Sequence, residues 1–149
     1  DVFNFIKLGR FIERADMLSR IIEDQILRKE NNVNKYYQNL QWSSVLRSIN
    51  GFESFKLINK NNLNQEVVIK FMIMEKLFPR SLKYCVNKLL EVHKFLPKSP
   101  SIKNNISKLL KNFSSESFYI KDRKMLKLLD GFQFGLINLD KDIKDKFFN

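Results

Sequence analysis

The chain is short of the residues from which self-contained chemical sites are commonly built. It has one cysteine, Cys85, and one histidine, His93, in 149 residues. A disulfide within the chain is excluded, and so is a Cys/His zinc site made by this chain alone. Four glycines and three prolines are too few for the many tight turns of a β-sandwich or barrel. There is no Gly-rich phosphate loop, and a single histidine does not support a Ser/His/Asp order. No apolar run approaches the ~20 residues of a membrane span; Val67 to Met74 is broken by Lys70. No signal peptide is visible and no initiator methionine opens the chain, so Asp1 reads as a cut point. Together these absences point to a cytoplasmic protein of a reducing compartment, with no metal, no cofactor and no membrane expected.

What is present suits a folded domain. Hydrophobic residues make up 44% and aromatics 13%, enough for one core, and the length fits one domain over 1–149. Lys plus Arg number 27 against 16 Asp plus Glu, giving a net charge of +11. The charge divides into two kinds. Twenty lysines are scattered along the chain, the pattern of a solvated surface or, alternatively, of a polyanion-binding face. Six of the seven arginines lie at or before residue 80. Arginine is the more informative of the two, because its planar fork gives bidentate carboxylate or phosphate geometry.

The periodicity predicts an all-α single bundle of about five to six helices, with no competing strand pattern. Phe5, Leu8, Ile12, Ala15, Ser19, Ile22 and Ile26 recur at spacings of three and four, predicting a helix from about Val2 to Lys29. After a polar loop from Glu30 to Asn39, a second helix starts near Leu40. It carries Trp42, Val45, Leu46 and Ile49, then continues past Gly51 through Phe52 and Phe55 to Ile58. Asn61, Asn62 and Asn64 form a turn in which Asn64 is the better N-cap, followed by a third helix with Val67, Val68, Phe71 and Met72 inward. Pro79 suits the first turn of a fourth helix running to about Phe95, with Leu82, Val86, Leu89 and Leu90 inward. Ser99-Pro100 is a cap-then-first-turn signal for a fifth helix ending near Phe113. Ser114, Ser115 and Ser117 mark a connection. A last helix from about Asp122 to Phe147 carries Met125, Leu128, Leu129, Phe132, Leu136, Leu139 and Ile143. Gly131 and Gly135, four apart, permit a close helix contact.

The first helix has apolar residues on both sides. Opposite its stripe lie Phe3, Arg10, Arg14, Met17 and Ile21, flanked by Glu13 and Arg20. A helix covered nearly all round would part-bury some of these charges, and a buried charge must be paired or bound to something. Arg10, Glu13 and Arg14 are spaced so that a carboxylate can bridge guanidinium groups along one face. Three readings follow: an ion-pair network locking the helix to its neighbours, a basic pocket for a carboxylate, phosphate or peptide end, or an exposed charged face. Phe78-Pro79-Arg80-Ser81 is a second candidate. With Pro79 in the first helical position, Arg80 and Ser81 sit among unsatisfied backbone N–H groups that can hold an anion; an ordinary helix start is the alternative. Glu53 and Glu75 are the expected carboxylate partners of these arginines, and Arg47 and Glu53 complete the candidate charged cluster. His93 reads as a solvent-facing or packing residue, Cys85 as a small core residue and Trp42 as a core anchor.

The block Leu8-Gly9-Arg10-Phe11-Ile12-Glu13-Arg14-Ala15-Asp16-Met17, continuing to Ser19-Arg20-Ile21, resembles the signature of the bacterial alpha-E family. Trp42 with Val45-Leu46-Arg47-Ser48, and Phe78-Pro79-Arg80-Ser81-Leu82-Lys83-Tyr84-Cys85, resemble its later blocks in order and approximate spacing, as does the end at Phe147-Phe148. Family members carry an LGR-x-x-ER block in each of two similar halves, and the version with ERAD followed by FPRS is similar to the C-terminal half. This chain departs from that pattern in lacking the first half and in having Gly131-Phe132 where a Leu-His pair is often found. A site built between halves would then need another chain.

The resemblance implies an association with ATP-grasp ligase-like proteins, near transglutaminase-like proteases and a proteasome-like peptidase, and hence work on peptides or amide bonds as an accessory module. On this reading the charged cluster of Arg10, Glu13, Arg14, Arg20, Arg47, Glu53, Arg80 and Ser81 binds a carboxylate or phosphoryl group or fixes an interface. The partner is an ATP-grasp ligase-like protein or the missing half, or else a peptide or anionic small molecule. Two alternatives differ in class. One is non-specific nucleic-acid binding through the +11 surface, which ranks lower because no base-reading helix is evident. The other is an enzyme using Glu13 or Glu53 as an acid or base in a desolvated pocket.

Overall fold

The computed structural model describes residues 2–29, 34–60, 62–97, 100–113 and 122–148. Among them are seven α-helices and no strand: α1 (Val2–Lys29), α2 (Lys35–Ser48), α3 (Phe52–Asn59), α4 (Gln65–Met74), α5 (Leu82–His93), α6 (Pro100–Lys111) and α7 (Asp122–Phe147). The all-α expectation holds, with seven helices in place of five to six. None of the seven is long and apolar enough to cross a membrane.

The extra helix comes from a local stop within the expected second helix. The helix expected to run unbroken past Gly51 stops at Ile49. Asn50 takes a left-handed φ of 54°, its N–H reaches back to the Arg47 carbonyl at 3.0 Å, and the Gly51 N–H reaches the Leu46 carbonyl at 2.7 Å. This is a Schellman-type stop, with Asn tolerating the conformation that glycine usually supplies. Its sequence signal was the Asn50-Gly51 pair. At the other end α2 starts at Lys35, five residues before the expected Leu40, because the Asn34 side chain accepts a hydrogen bond from the Tyr36 N–H. Asn64 caps α4 as expected, accepting from the Val67 N–H at 2.9 Å. Asn61, Ser99, Ser114, Ser115 and Ser117 lie outside the described residues.

α1 and α7 are the long axes of the bundle, and α1 packs chiefly on α5 and α7. The expected stripe of α1 faces this core: Leu8, Ala15, Ser19, Ile22 and Ile26 are buried, together with Leu18, while Phe5 and Ile12 are part-buried. Fully burying a large apolar side chain stabilises by ~1.5–3 kcal/mol, so this stripe holds α1 in place. The two chain ends meet where Phe5 packs edge-on against Phe147 and Phe148, with centroids at 5.0 and 5.1 Å. Gln133 of α7 donates to Glu23 of α1 at 3.0 Å, and Asn105 of α6 donates to Asp142 of α7. Of the two spaced glycines, only Gly135 lies at a close contact: a Cβ there would come within 2.7 Å of Leu109 Cδ2 on α6, whereas nothing lies within 4 Å at Gly131. Trp42 and Cys85 are buried as expected.

Candidate functional site

Residues 10–21 of α1 share a cleft with two other segments, the end of α2 and the turn that precedes α5. That turn (75–81) is pinned at both ends. Phe78 is buried and stacks on Phe71 of α4, with centroids at 4.9 Å and planes at 27°. Ser81 is fully buried; its hydroxyl donates to the Glu75 carbonyl and accepts from the Tyr84 N–H at 3.1 Å. Glu75 closes the turn from within, its carboxylate accepting from the Leu77 N–H at 3.0 Å.

These contacts correct the reading of Phe78-Pro79-Arg80-Ser81. The helix begins at Leu82 with Ser81 as its N-cap, so Pro79 lies in the turn and not in the first helical position. The capping hydroxyl has already satisfied the Tyr84 N–H that an anion would have used. Arg80 is instead set between two anchored residues and projects from the turn. Ser81→Ala removes both hydroxyl bonds and is expected to cost about 1–2 kcal/mol. Urea denaturation checks this; a midpoint equal to that of the native chain would mean that the turn is held by Phe78 alone.

Arg80 joins Arg10, Glu13 and Arg14 of α1 around a cleft of about 230 Å³, with Met17, Leu18, Ile21 and Ile49 supplying the apolar wall. Arg14 is part-buried and Arg10 and Glu13 are exposed. Among the described residues, no salt bridge within 4 Å involves any of these four charged side chains; ion pairs elsewhere include Arg20–Asp16, Arg28–Asp24, Lys88–Glu91 and Lys144–Asp140. The cleft therefore carries three guanidinium groups against one carboxylate.

The rest of the expected cluster lies elsewhere. Arg20 is exposed and held by Asp16 at 2.8 Å, and that hydrogen bond raises its pKa above the usual arginine value. Arg47 lies over the Phe52 ring at 4.0 Å, which uses its cationic face in a cation–π contact. Glu53 is exposed and pairs with no arginine among the described residues, and Glu75 is taken up by the turn. The expected network of part-buried ion pairs along α1 is thus absent from the described residues. The reason is coverage: away from α5 and α7, α1 is only partly covered by the end of α2 and the turn before α5, so Arg10 and Glu13 stay exposed, where charge needs no partner. Nor does Glu13 or Glu53 occupy a desolvated pocket.

Cys85 of α5 is buried, near enough to Arg14 to feel its charge. Burial pushes its thiol up from near 9 to about 11, with the Arg14 charge acting in the opposite direction. A thiol so placed stays protonated at neutral pH and is a packing residue. His93 on α5 is part-buried. The apolar wall from Leu18 and Ile49 has no local sequence signature, since both read simply as core positions.

Fold and site together define an all-helical module whose first helix presents an arginine-rich cleft; no group of three or more His, Cys, Asp or Glu among the described residues is placed to hold a metal. The chain belongs to the Alpha-E family, described as a predicted alpha-helical domain with a conserved ER motif, whose profile matches residues 1–148. Glu13-Arg14 is the one Glu-Arg dipeptide in the chain, and it lies at this cleft. No curated protein and no solved structure matches the chain.

Proposed function

We propose that this chain is an accessory binding domain that holds an anionic group, a carboxylate or a phosphoryl group, in the α1 cleft. The observation that carries this reading is the convergence of Arg10, Arg14 and Arg80 on one cleft with Glu13 as the sole lining carboxylate. An anion entering there would face three donor forks that have no other ion-pair partner among the described residues. Each charge-assisted hydrogen bond is worth ~1.5–3 kcal/mol. Met17, Leu18, Ile21 and Ile49 would pack against the apolar part of the same ligand, and Glu13 would orient the guanidinium groups. The resemblance to the alpha-E family supports a setting in ATP-grasp-linked peptide or amide-bond chemistry, with a ligase-like protein as the partner and a peptide end or an acyl phosphate as the chemical type of ligand.

The test is calorimetric titration of the native chain, Arg14→Ala and Arg14→Lys with tripolyphosphate and with a glutamate-rich peptide. Binding of at least one probe by the native chain is expected. Arg14→Ala should weaken it about tenfold or more, the equivalent of one charge-assisted bond. Arg14→Lys should fall between the two, because lysine keeps the charge but not the fork. Equal affinity in all three proteins, with unchanged helicity by circular dichroism, would overturn the proposal.

A further inference from the structure

The water-facing side of α1 carries a second pattern. Phe3, Ile6, Arg10, Glu13, Met17 and Arg20 follow one another at spacings of three and four, and every one of them is exposed. The apolar members are well exposed, Phe3 at 65% and Ile6 and Met17 at 57% each; they are singled out by their spacing along one helix and not by exposure alone. Alternating spacings of three and four along one helix form the seam of a two-stranded coiled coil. Among the described residues no other helix packs over this seam: Arg10, Glu13 and Met17 border the cleft along one edge, and at its start Lys7 Nζ lies 4.2 Å from the Phe3 ring centroid.

We propose that the seam pairs two copies of this chain through antiparallel α1 helices, on a two-fold axis passing between Phe11 and Ile12. The occupant is identified by the order of residues along the seam. In this register Arg10 lies opposite the partner's Glu13, and Glu13 opposite the partner's Arg10, so the central layers are two reciprocal ion pairs. The next layers outward set Ile6 against the partner's Met17 and Met17 against the partner's Ile6. The outermost place Phe3 along the aliphatic stem of the partner's Arg20, which leaves that guanidinium head on its own helix's Asp16.

The alternatives fail on charge. A parallel pairing sets Arg10 on Arg10 and Glu13 on Glu13. Sliding the antiparallel pair by one heptad in one direction sets Arg10 against Arg20; in the other it sets Ile6 against Arg10 and Phe3 against Glu13. One register alone is complementary throughout, and it is self-complementary, as a two-fold interface must be. A single helix pair is smaller than a standard interface of ~1,600 Å², so the dimer is reversible. Arg14 and Arg80 lie off the seam, so Arg14→Ala leaves the pairing intact, whereas Arg10, Glu13 and Met17 also line the cleft, so pairing and anion binding draw on the same side chains.

Sedimentation velocity on the full chain over a concentration series, at low salt, tests the proposal. The native chain is expected to show a reversible monomer–dimer equilibrium. Arg10→Glu and Glu13→Arg, each alone, place like charges in the central layers and are expected to sediment as monomers. An equimolar mixture of those two variants restores both ion pairs and is expected to form a dimer again, as is the R10E/E13R double exchange. Because every position changed is exposed, circular dichroism should show native helicity in each variant. The proposal is overturned by a native chain that stays monomeric throughout, which would leave the seam to water or to another protein. It is equally overturned by single reversals that leave the dimer intact, or by a mixture that fails to associate.

Discussion

Phe132→Ala is expected to lower the stability of this bundle by ~3–5 kcal/mol, a large share of what holds the domain folded. Phe132 sits midway along α7 with no solvent exposure, and its ring packs against Phe113 with centroids 5.0 Å apart. Truncation removes the transfer energy of the ring and leaves a cavity that two long, mutually packed helices cannot close. A domain of this kind has ~5–15 kcal/mol of total stability, so the variant would be close to the limit of folding. Urea unfolding should show a lowered midpoint with an unchanged slope. Phe134→Ala is the matched control: two residues further on, Phe134 is 65% exposed, and its loss should fall within ~0.5 kcal/mol of zero. A difference of under ~1 kcal/mol between the two would mean that α7 is not packed as described.

The second large effect is expected at Gly51, where stability and the cleft are linked. A Cβ at this position would lie 2.8 Å from Phe78 Cζ and 3.4 Å from Ile49 Cγ1. The Phe78 ring cannot retreat, because it is stacked on Phe71, which in turn packs edge-on against Phe55 at 5.3 Å. Overpacking of a well-filled core costs ~1–3 kcal/mol, and Gly51→Val, with two methyl groups beyond the Cβ, belongs at the upper end. Phe78 also anchors the turn that carries Arg80, and Ile49 lines the cleft. Gly51→Val should therefore weaken tripolyphosphate binding as well as stability, although Gly51 itself is not among the residues lining the cleft. Gly131→Ala makes the contrast: nothing lies within 4 Å of a Cβ there, and alanine in mid-helix should stabilise by ~0.5–1 kcal/mol. If Gly51→Val unfolded at the native midpoint, the contact between the end of α2 and the Phe78 turn would be refuted.

The Glu-Arg dipeptide of the family stands at the junction of two surfaces. Neighbours on a helix point ~100° apart, so Glu13 and Arg14 cannot serve one direction equally. Arg14 is part-buried in the cleft, while Glu13 is exposed on the outer seam. Both line the cleft mouth. Substituting the two separately should therefore have different consequences: Arg14→Ala is expected to change anion binding alone, whereas Glu13→Arg is expected to change self-association and the charge of the cleft together.

Much of the architecture was legible from residue spacing. The buried stripe of α1, the span of α7 with its inward residues, the Asn64 cap and the core placement of Trp42 and Cys85 all follow from interactions within a few residues of each other along the chain. Such interactions are set by backbone geometry that every helix shares, so a linear reading reaches them. The stop at Asn50-Gly51 was equally local, but the strong apolar pattern of Phe52 and Phe55 beyond it masked the signal. The Ser81 cap was obscured by Pro79, which favours a first helical turn but fits this turn just as well.

The charged residues were a different matter. Composition and order determined that arginines concentrate early in the chain and that Arg10, Glu13 and Arg14 share a region of one helix. They could not determine whether that region would be covered. Only the tertiary arrangement decided that α5 and α7 bury one side of α1 and leave Arg10 and Glu13 exposed, that Arg80 arrives from a turn more than sixty residues away, and that Arg20 and Arg47 are engaged elsewhere. Helical periodicity is set by neighbours within one turn, whereas coverage and convergence depend on where distant helices come to rest. That is a property of the whole packed core, and no single stretch of chain contains it.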